Sequence, residues 1–473
     1  MLLPLIASIA AAAPMPAVIN VSDAIFGPPE WTCQEQLAWA EADRAARTTP
    51  LPELPPAPRS PAPPPPPVLR VPPDPVVDTP VLWTAVLGGA LPGREPLPPQ
   101  PIEGSAEAIG AIARAMGRPS RGQRLRISVW GASHTAADYF TGELRRALQG
   151  RWGDGGHGFV WPAAMTNAER AHDLVLCSTQ TWRSDFVGRS GGRSDGWYGP
   201  GGGSLSSSDP TDFSTVETTK SAPTGGVWRE VELQALGAPT AGSLLLTVDD
   251  AATRVLDLRS PSTGLLRFRV QVPAGPHRLT LRPLGDGEVR LFGLSLENDP
   301  QGVIVDAIGV RGRTARTWLS WDAEQLSAGV AALAPDLVVL AYGTNEAADL
   351  HMSAAQVQAD LRAVLARARA AAPQAACLVI GPTDRAKVVS AGKRYTIWGR
   401  TALVAAAQRS VAIEAGCGFW DWQAAMGGPG AALTWRSLSP PLVTADLIHL
   451  SAEGYARSAN LLLEALTGLE GPR

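Results

Sequence analysis

Three short stretches of this chain carry side chains that together can move an acyl group. Gly131-Ala132-Ser133-His134-Thr135 offers a hydroxyl, Gly343-Thr344-Asn345-Glu346 an uncharged amide donor, and Asp446-Leu447-Ile448-His449 a carboxylate and an imidazole three residues apart. A carboxylate fixes the tautomer of a neighbouring imidazole and steadies its positive charge, while the other ring nitrogen takes a proton from a serine hydroxyl. Each stretch also has a plainer reading. Ser133 suits a helix N-cap, and Asn345 suits a turn. Order and placement decide between these readings, and both depend on the elements around the three loops.

Residues 125–130 read as a strand stopping at Gly131, and 139–148 follow with helical spacing of apolar positions. Residues 336–342 are a largely apolar run of the buried parallel type, followed by the Gly343 loop and a helix over 354–372. A third strand is expected over 376–380, a helix over 399–415, a fourth strand around Phe419, and a leading helix over 103–116. Strands alternating with helices imply an α/β fold with an open parallel sheet. In such a sheet the site gathers beyond the carboxyl ends of the strands, where the Ser133 and Asn345 loops fall.

The texture changes over 184–296, which is rich in Gly, Ser and Thr. Short alternating runs at 244–248, 265–272, 277–281 and 289–296 read as antiparallel strands. We read this segment as a small β-sandwich inserted into the α/β domain, with the Gly/Ser stretch 188–208 as a flexible entry or binding loop. The expected layout is an N-terminal export or arm segment (1–47), a Pro-rich linker (48–102), a hydrolase-like domain in two pieces (103–183 and 297–473) and the insertion (184–296). Residues 34–47 read as a short helix, and Pro63 to Pro67 lie in a run that cannot donate backbone hydrogen bonds.

With 473 residues, 18% charged and a net charge of −3, the chain has no field that would attract nucleic acid. A neutral small molecule or a glycan fits better. Residues 1–13 are apolar and end in small residues, like a signal peptide without its basic start. No later stretch is long and apolar enough for a membrane span. Fifteen tryptophans against five tyrosines fit sugar stacking or, more plainly, core filling. Cys33, Cys177, Cys377 and Cys417 form no metal motif. Cys377 and Cys417 open neighbouring strands and are either a disulfide or buried thiols. His157 reads as structural, and His172 and His351 as loop residues. His134 reads as a loop residue whose one claim to line the site is that it follows Ser133.

The order GxSH, a glycine loop, GTNE and DxxH followed by a helix resembles the SGNH (GDSL-type) hydrolases, over residues 125–455 without the β-rich segment. The resemblance implies a flavodoxin-like, three-layer fold with Ser133 as nucleophile, His449 as general base and Asp446 as its orienting partner. It implies an oxyanion hole from the backbone N–H of Ser133, the backbone N–H of Gly312 and the Asn345 side chain, with Gly309 competing with Gly312. It implies no metal and no organic cofactor.

The stretch 138–159, with GTNE and Gly418-Phe419-Trp420-Asp421 through Gly427-Gly428, is similar to bacterial peptidoglycan O-acetylesterases. That likeness implies an inserted carbohydrate-binding domain, an O-acetylated cell-wall glycan as substrate and an exported or periplasmic location. Acetylxylan esterases, lipases and thioesterases share the same blocks. The chain departs from the family at Ala132, where Asp is usual. This departure and the tryptophan count make a glycan-binding envelope protein with a relic site the non-enzymatic alternative. No oligomeric state can be read from the sequence.

Overall fold

A computed structural model describes residues 99–163, 171, 173–189, 192–218, 224–249, 252–390 and 394–470. The export-like start, the helix expected at 34–47, most of the linker, Cys33 and His172 lie outside these residues.

Five parallel strands, numbered in chain order, form the sheet that positions the site: β1 (Leu125–Gly131), β2 (Val303–Gly309), β3 (Leu337–Ala341), β4 (Ala376–Ile380) and β5 (Gly418–Trp420). Their spatial order is β2-β1-β3-β4-β5, the flavodoxin-like doubly wound order. Side chains alternate along a strand, so each strand feeds two cores. Leu337 and Val339 of β3 join one buried cluster with Phe140, Leu144, Tyr455 and Leu462 of the helices Tyr139–Trp152 and Ala452–Thr467. Val338 and Leu340 join the other, with Leu326, Leu361, Val364 and Val411 of Ala323–Leu333, Ala354–Ala371 and Arg400–Glu414. Helices thus cover both faces. Two of them start where serine hydroxyls cap free N–H groups: Ser353 accepts from Gln356 and Ser451 from Gly454.

The strand β2 is absent from the sequence reading because Asp306 interrupts its apolar run. That carboxylate is fully buried and accepts from Arg126 Nε at 2.8 Å, Arg126 Nη2 at 2.9 Å and the Phe159 backbone N–H at 2.7 Å.

Between β1 and β2 the chain builds two antiparallel sheets. One has the order Gly264–Gly275, Trp228–Gly237, Val289–Glu297, Gly203–Ser207, Arg183–Phe186, with Gly158–Val160 also paired to Val289–Glu297. The other runs Leu174–Ser178, Ser214–Thr218, Arg278–Pro283, Ser243–Val248, Ala252–Asp257. Leu233 and Leu291 of the first and Leu246, Leu279 and Leu281 of the second share one buried cluster.

Antiparallel pairing starts at Gly158, earlier than the change of texture at 184. The stretch 188–208 is also not simply a loop, since it contains the strand Gly203–Ser207. Its glycines reflect close packing: a Cβ on Gly201 would lie 2.3 Å from the Trp161 ring. Trp130, Trp228, Trp318 and Trp420 are among the largest fully buried side chains, so much of the tryptophan excess fills core. Cys377 and Cys417 form a disulfide, and Cys177 is also disulfide-bonded.

Candidate active site

The strand β1 ends at Gly131, and the chain turns at once into the one-turn helix Ser133–Ala136. The turn is tight enough that a Cβ on Gly131 would sit 2.2 Å from Thr135 Oγ1 and 2.8 Å from the Ala341 carbonyl. Ala132 is 4% exposed and belongs to the apolar core. Its carbonyl accepts from the N–H of Thr135 and Ala136, so the turn is held by backbone without a carboxylate at this position. Ser133 stands at the carboxyl end of β1, the first strand of the sheet.

The 446–449 segment folds into a turn in which Leu447 takes a left-handed backbone, φ 61°, with its side chain buried. A non-glycine residue there costs of order 1–3 kcal/mol. The buried side chain and the Ala386 N–H, which donates to the Leu447 carbonyl at 3.1 Å, hold it in place. In this turn His449 Nδ1 meets Asp446 Oδ2 at 2.6 Å, and His449 Nε2 meets Ser133 Oγ at 2.8 Å. An Nδ1–H donated to the carboxylate leaves the Nε2 lone pair facing the serine hydroxyl. Asp446 Oδ1 also accepts from Thr444 Oγ1 at 2.6 Å and from the backbone N–H of Ile448 and His449, each at 3.0 Å. Partial burial works against the Asp446 carboxylate. The hydrogen bonds from His449, Thr444 and the backbone outweigh it and hold the group well below the usual range.

The expected donors to a developing oxyanion lie in the loops that follow three neighbouring strands, β1, β2 and β3. Among the described residues, the backbone N–H of Ser133 and that of Gly312 have no hydrogen-bond partner. Gly312 lies in the exposed turn after β2 with φ 72° and open space where a Cβ would point. Gly309 serves packing instead, since a Cβ there would lie 2.1 Å from the Ala136 nitrogen and its bareness lets the Ser133 helix rest on β2. Asn345 Nδ2 donates to the Arg313 carbonyl at 2.7 Å, which ties the Asn345 loop to the Gly312 turn.

Two residues near the site were not assigned roles from sequence. Glu346 is buried and accepts from the backbone N–H of Ala315 at 2.7 Å and of Gly343 at 2.9 Å, a second tie between the same two loops. Burial raises its carboxyl above the usual range despite those bonds. His134 packs 5.2 Å from the His449 ring, with Nδ1 2.8 Å from Tyr455 Oη and Nε2 3.2 Å from Thr383 Oγ1. Burial, reinforced by the His449 charge, pushes it down to about 3, so it stays neutral beside His449 at ordinary pH. Its place directly after Ser133 was the only sequence signal. His157 is buried against Asp138, and His351 is exposed. No group of three or more potential metal ligands exists among the described residues, nor a helix long and apolar enough to cross a membrane.

Residues 284–457 match the GDSL-like lipase/acylhydrolase family, a span that holds Gly312, Asn345, Asp446 and His449. A solved peptidoglycan O-acetylesterase structure is similar to this chain with 28% identity and a TM-score of 0.63, covering 77% of this chain and 97% of that one. An acetyl xylan esterase aligns more loosely, with 18% identity, a TM-score of 0.26 and coverage of 34% and 80%. No curated protein matches the chain. The chain therefore carries a GDSL-like lipase/acylhydrolase domain on an SGNH-type α/β fold, and it is a serine ester hydrolase.

Proposed function

We propose that this chain removes O-linked acetyl groups from a cell-wall glycan, most specifically peptidoglycan, with Ser133, His449 and Asp446 as its triad. The observation that carries the reading is the unbroken contact from Asp446 through His449 to Ser133, at 2.6 and 2.8 Å. Ser133 attacks the ester carbonyl as His449 Nε2 takes its proton. The oxyanion is met by the N–H of Ser133, the N–H of Gly312 and the Asn345 amide. His449 then returns the proton to the departing sugar hydroxyl, and water clears the acyl-enzyme by the same steps.

The substrate class rests on the likeness to a peptidoglycan O-acetylesterase over 77% of this chain, a span that the hydrolase segments 103–183 and 297–473 are too short to fill alone. On this reading the two antiparallel sheets form an inserted β-sandwich that holds the glycan. Disulfides at Cys377–Cys417 and at Cys177 suit an oxidising compartment, hence an enzyme of the cell envelope.

Acetate release from O-acetylated peptidoglycan and from acetylated xylan, by wild type and by Ser133→Ala, tests this. The expected result is release from peptidoglycan that falls by about 10⁴-fold or more in the variant. Release from xylan alone would move the substrate to plant glycans. No release and no fluorophosphonate labelling of Ser133 would leave a binding protein.

A further inference from the structure

The helix Ser133–Ala136 is a single turn at the tip of β1, so little of its own structure fixes where Ser133 points. Its backbone hydrogen bonds run within 132–138, between residues three or four apart. Among the described residues, the hydrogen bonds that carry this helix to distant parts of the chain are all made by side chains. One is the contact of Ser133 with His449 itself. The others belong to His134, through Nδ1 to Tyr455 Oη at 2.8 Å and through Nε2 to Thr383 Oγ1 at 3.2 Å.

These two partners stand on either side of the 446–449 turn. Tyr455 lies in the first turn of the helix Ala452–Thr467, whose cap, Ser451, follows His449 closely in the chain. Thr383 lies in the loop after β4, shortly before Ala386, whose N–H donates to the Leu447 carbonyl at 3.1 Å. One planar ring therefore joins the residue after Ser133 to both segments that hold the His449 turn. His134, Tyr455 and Thr383 are all buried, so water does not compete for these bonds.

The His134 ring also packs 5.2 Å from the His449 ring, 5.7 Å from Trp422 and 5.8 Å from Tyr455. Burial, with the His449 charge, keeps it neutral at ordinary pH. It can thus stand against His449 without opposing the positive charge that forms there during acyl transfer.

We propose that His134 is a positioning residue, which holds Ser133 Oγ in reach of His449 Nε2 by locking the one-turn helix to both supports of the His449 turn. This rests on the reading of Ser133 as nucleophile and His449 as its base. A misplacement of about 1 Å in such a pair costs on the order of 10²-fold in rate. Both ring nitrogens of His134 are engaged by the protein, so its loss should fall on kcat and leave KM.

The test measures kcat and KM for hydrolysis of p-nitrophenyl acetate, with the melting temperature followed alongside. H134F keeps a buried ring and loses both bonds, and its kcat is expected to fall roughly 10- to 100-fold with KM within about twofold. H134N places an amide near the position of Nδ1 and H134Q one near that of Nε2, so each restores one link and at least one of them should recover much of the lost kcat. Y455F removes the hydroxyl that meets Nδ1, a bond already absent in H134F. H134F/Y455F should therefore be no slower than H134F alone.

A kcat for H134F within about threefold of wild type below its melting transition overturns the proposal. So does a loss that neither amide restores, or losses at His134 and Tyr455 that multiply in the double variant. Should H134F fail to fold, Y455F carries the test: its kcat is expected to fall roughly tenfold at unchanged KM, and an unchanged kcat overturns the proposal. S133A separates the two levels. If it abolishes cleavage while the His134 variants keep their kcat, only the positioning role falls. If S133A still cleaves the ester, the underlying reading falls as well.

Discussion

The two halves of the parallel sheet treat polar groups in opposite ways. Toward the amino ends of its strands, internal charge is answered: Arg126 meets Asp306 and Glu297, Asp336 accepts the Arg126 backbone N–H and pairs with Arg118, and Arg124 meets Glu297. Beyond the carboxyl ends, among the described residues, the N–H groups of Ser133 and Gly312 have no hydrogen-bond partner, and the guanidinium groups of Arg313 and Arg385 have no carboxylate. A strand end that satisfies its own donors contributes stability, while one that leaves them open can contribute binding and transition-state stabilisation. The open backbone donors of Ser133 and Gly312 stand in the loops where a substrate would arrive.

The sharpest way to break this comparison is at Asp306, which also joins the parallel sheet to the antiparallel strand Gly158–Val160 through the Phe159 N–H. Asp306→Ala removes the carboxylate bound at Arg126 Nε and Nη2, leaving Glu297 as the partner of this buried guanidinium, and should cost about 3–5 kcal/mol of unfolding free energy by urea titration. A loss under about 1 kcal/mol would mean that this half is not the structural one.

At the other end, Asn345→Ala should lower kcat by roughly 10²–10³-fold, equivalent to about 2.7–4 kcal/mol of transition-state stabilisation. Because Asn345 also ties its loop to the Arg313 carbonyl, the melting temperature must be followed alongside. A variant that loses stability but keeps kcat would assign Asn345 to the loop and not to the reaction.

Much of this division was legible in the sequence. Unbroken apolar runs gave away β3 and β4, and the loops after β1 and β3 marked the site because polar residues there interrupt strong patterns. Ser133, His449 and Asp446 were chosen on order and spacing, and the geometry brings all three into contact. What stayed hidden depended on partners far along the chain. The strand β2 was masked by Asp306, whose burial makes sense only with Arg126, 180 residues away. The glycines at 201–203 read as a flexible stretch because nothing nearby announced the Trp161 and Trp321 rings that pack on them. Glu346 looked like loop polarity, since the N–H groups it binds include Ala315, 31 residues distant. That Arg313 Nη2 and Arg385 Nε are buried without a partner was equally out of reach, because sequence lists charges without saying which find partners.

The smallest effect expected is at the disulfide, where the same contrast can be sharpened without touching a charge. Cys377 lies near the start of β4 and Cys417 immediately before β5, so the bond links two neighbouring strands at the amino-end half, closing a 40-residue separation. Removing it in Cys377→Ser/Cys417→Ser should cost about 2–4 kcal/mol of unfolding free energy, mostly by freeing the unfolded chain. kcat on an acetyl ester should stay within about twofold below the melting transition, because the bond holds no part of the Ser133, Gly312 or Asn345 loops. Stability and activity falling together would mean that the two halves of the sheet are coupled through β4, whose following loop supplies Thr383 to His134 and Arg385 to the site. Stability falling alone would show that the carboxyl-end loops keep their geometry through local ties such as those of Glu346 and Asn345.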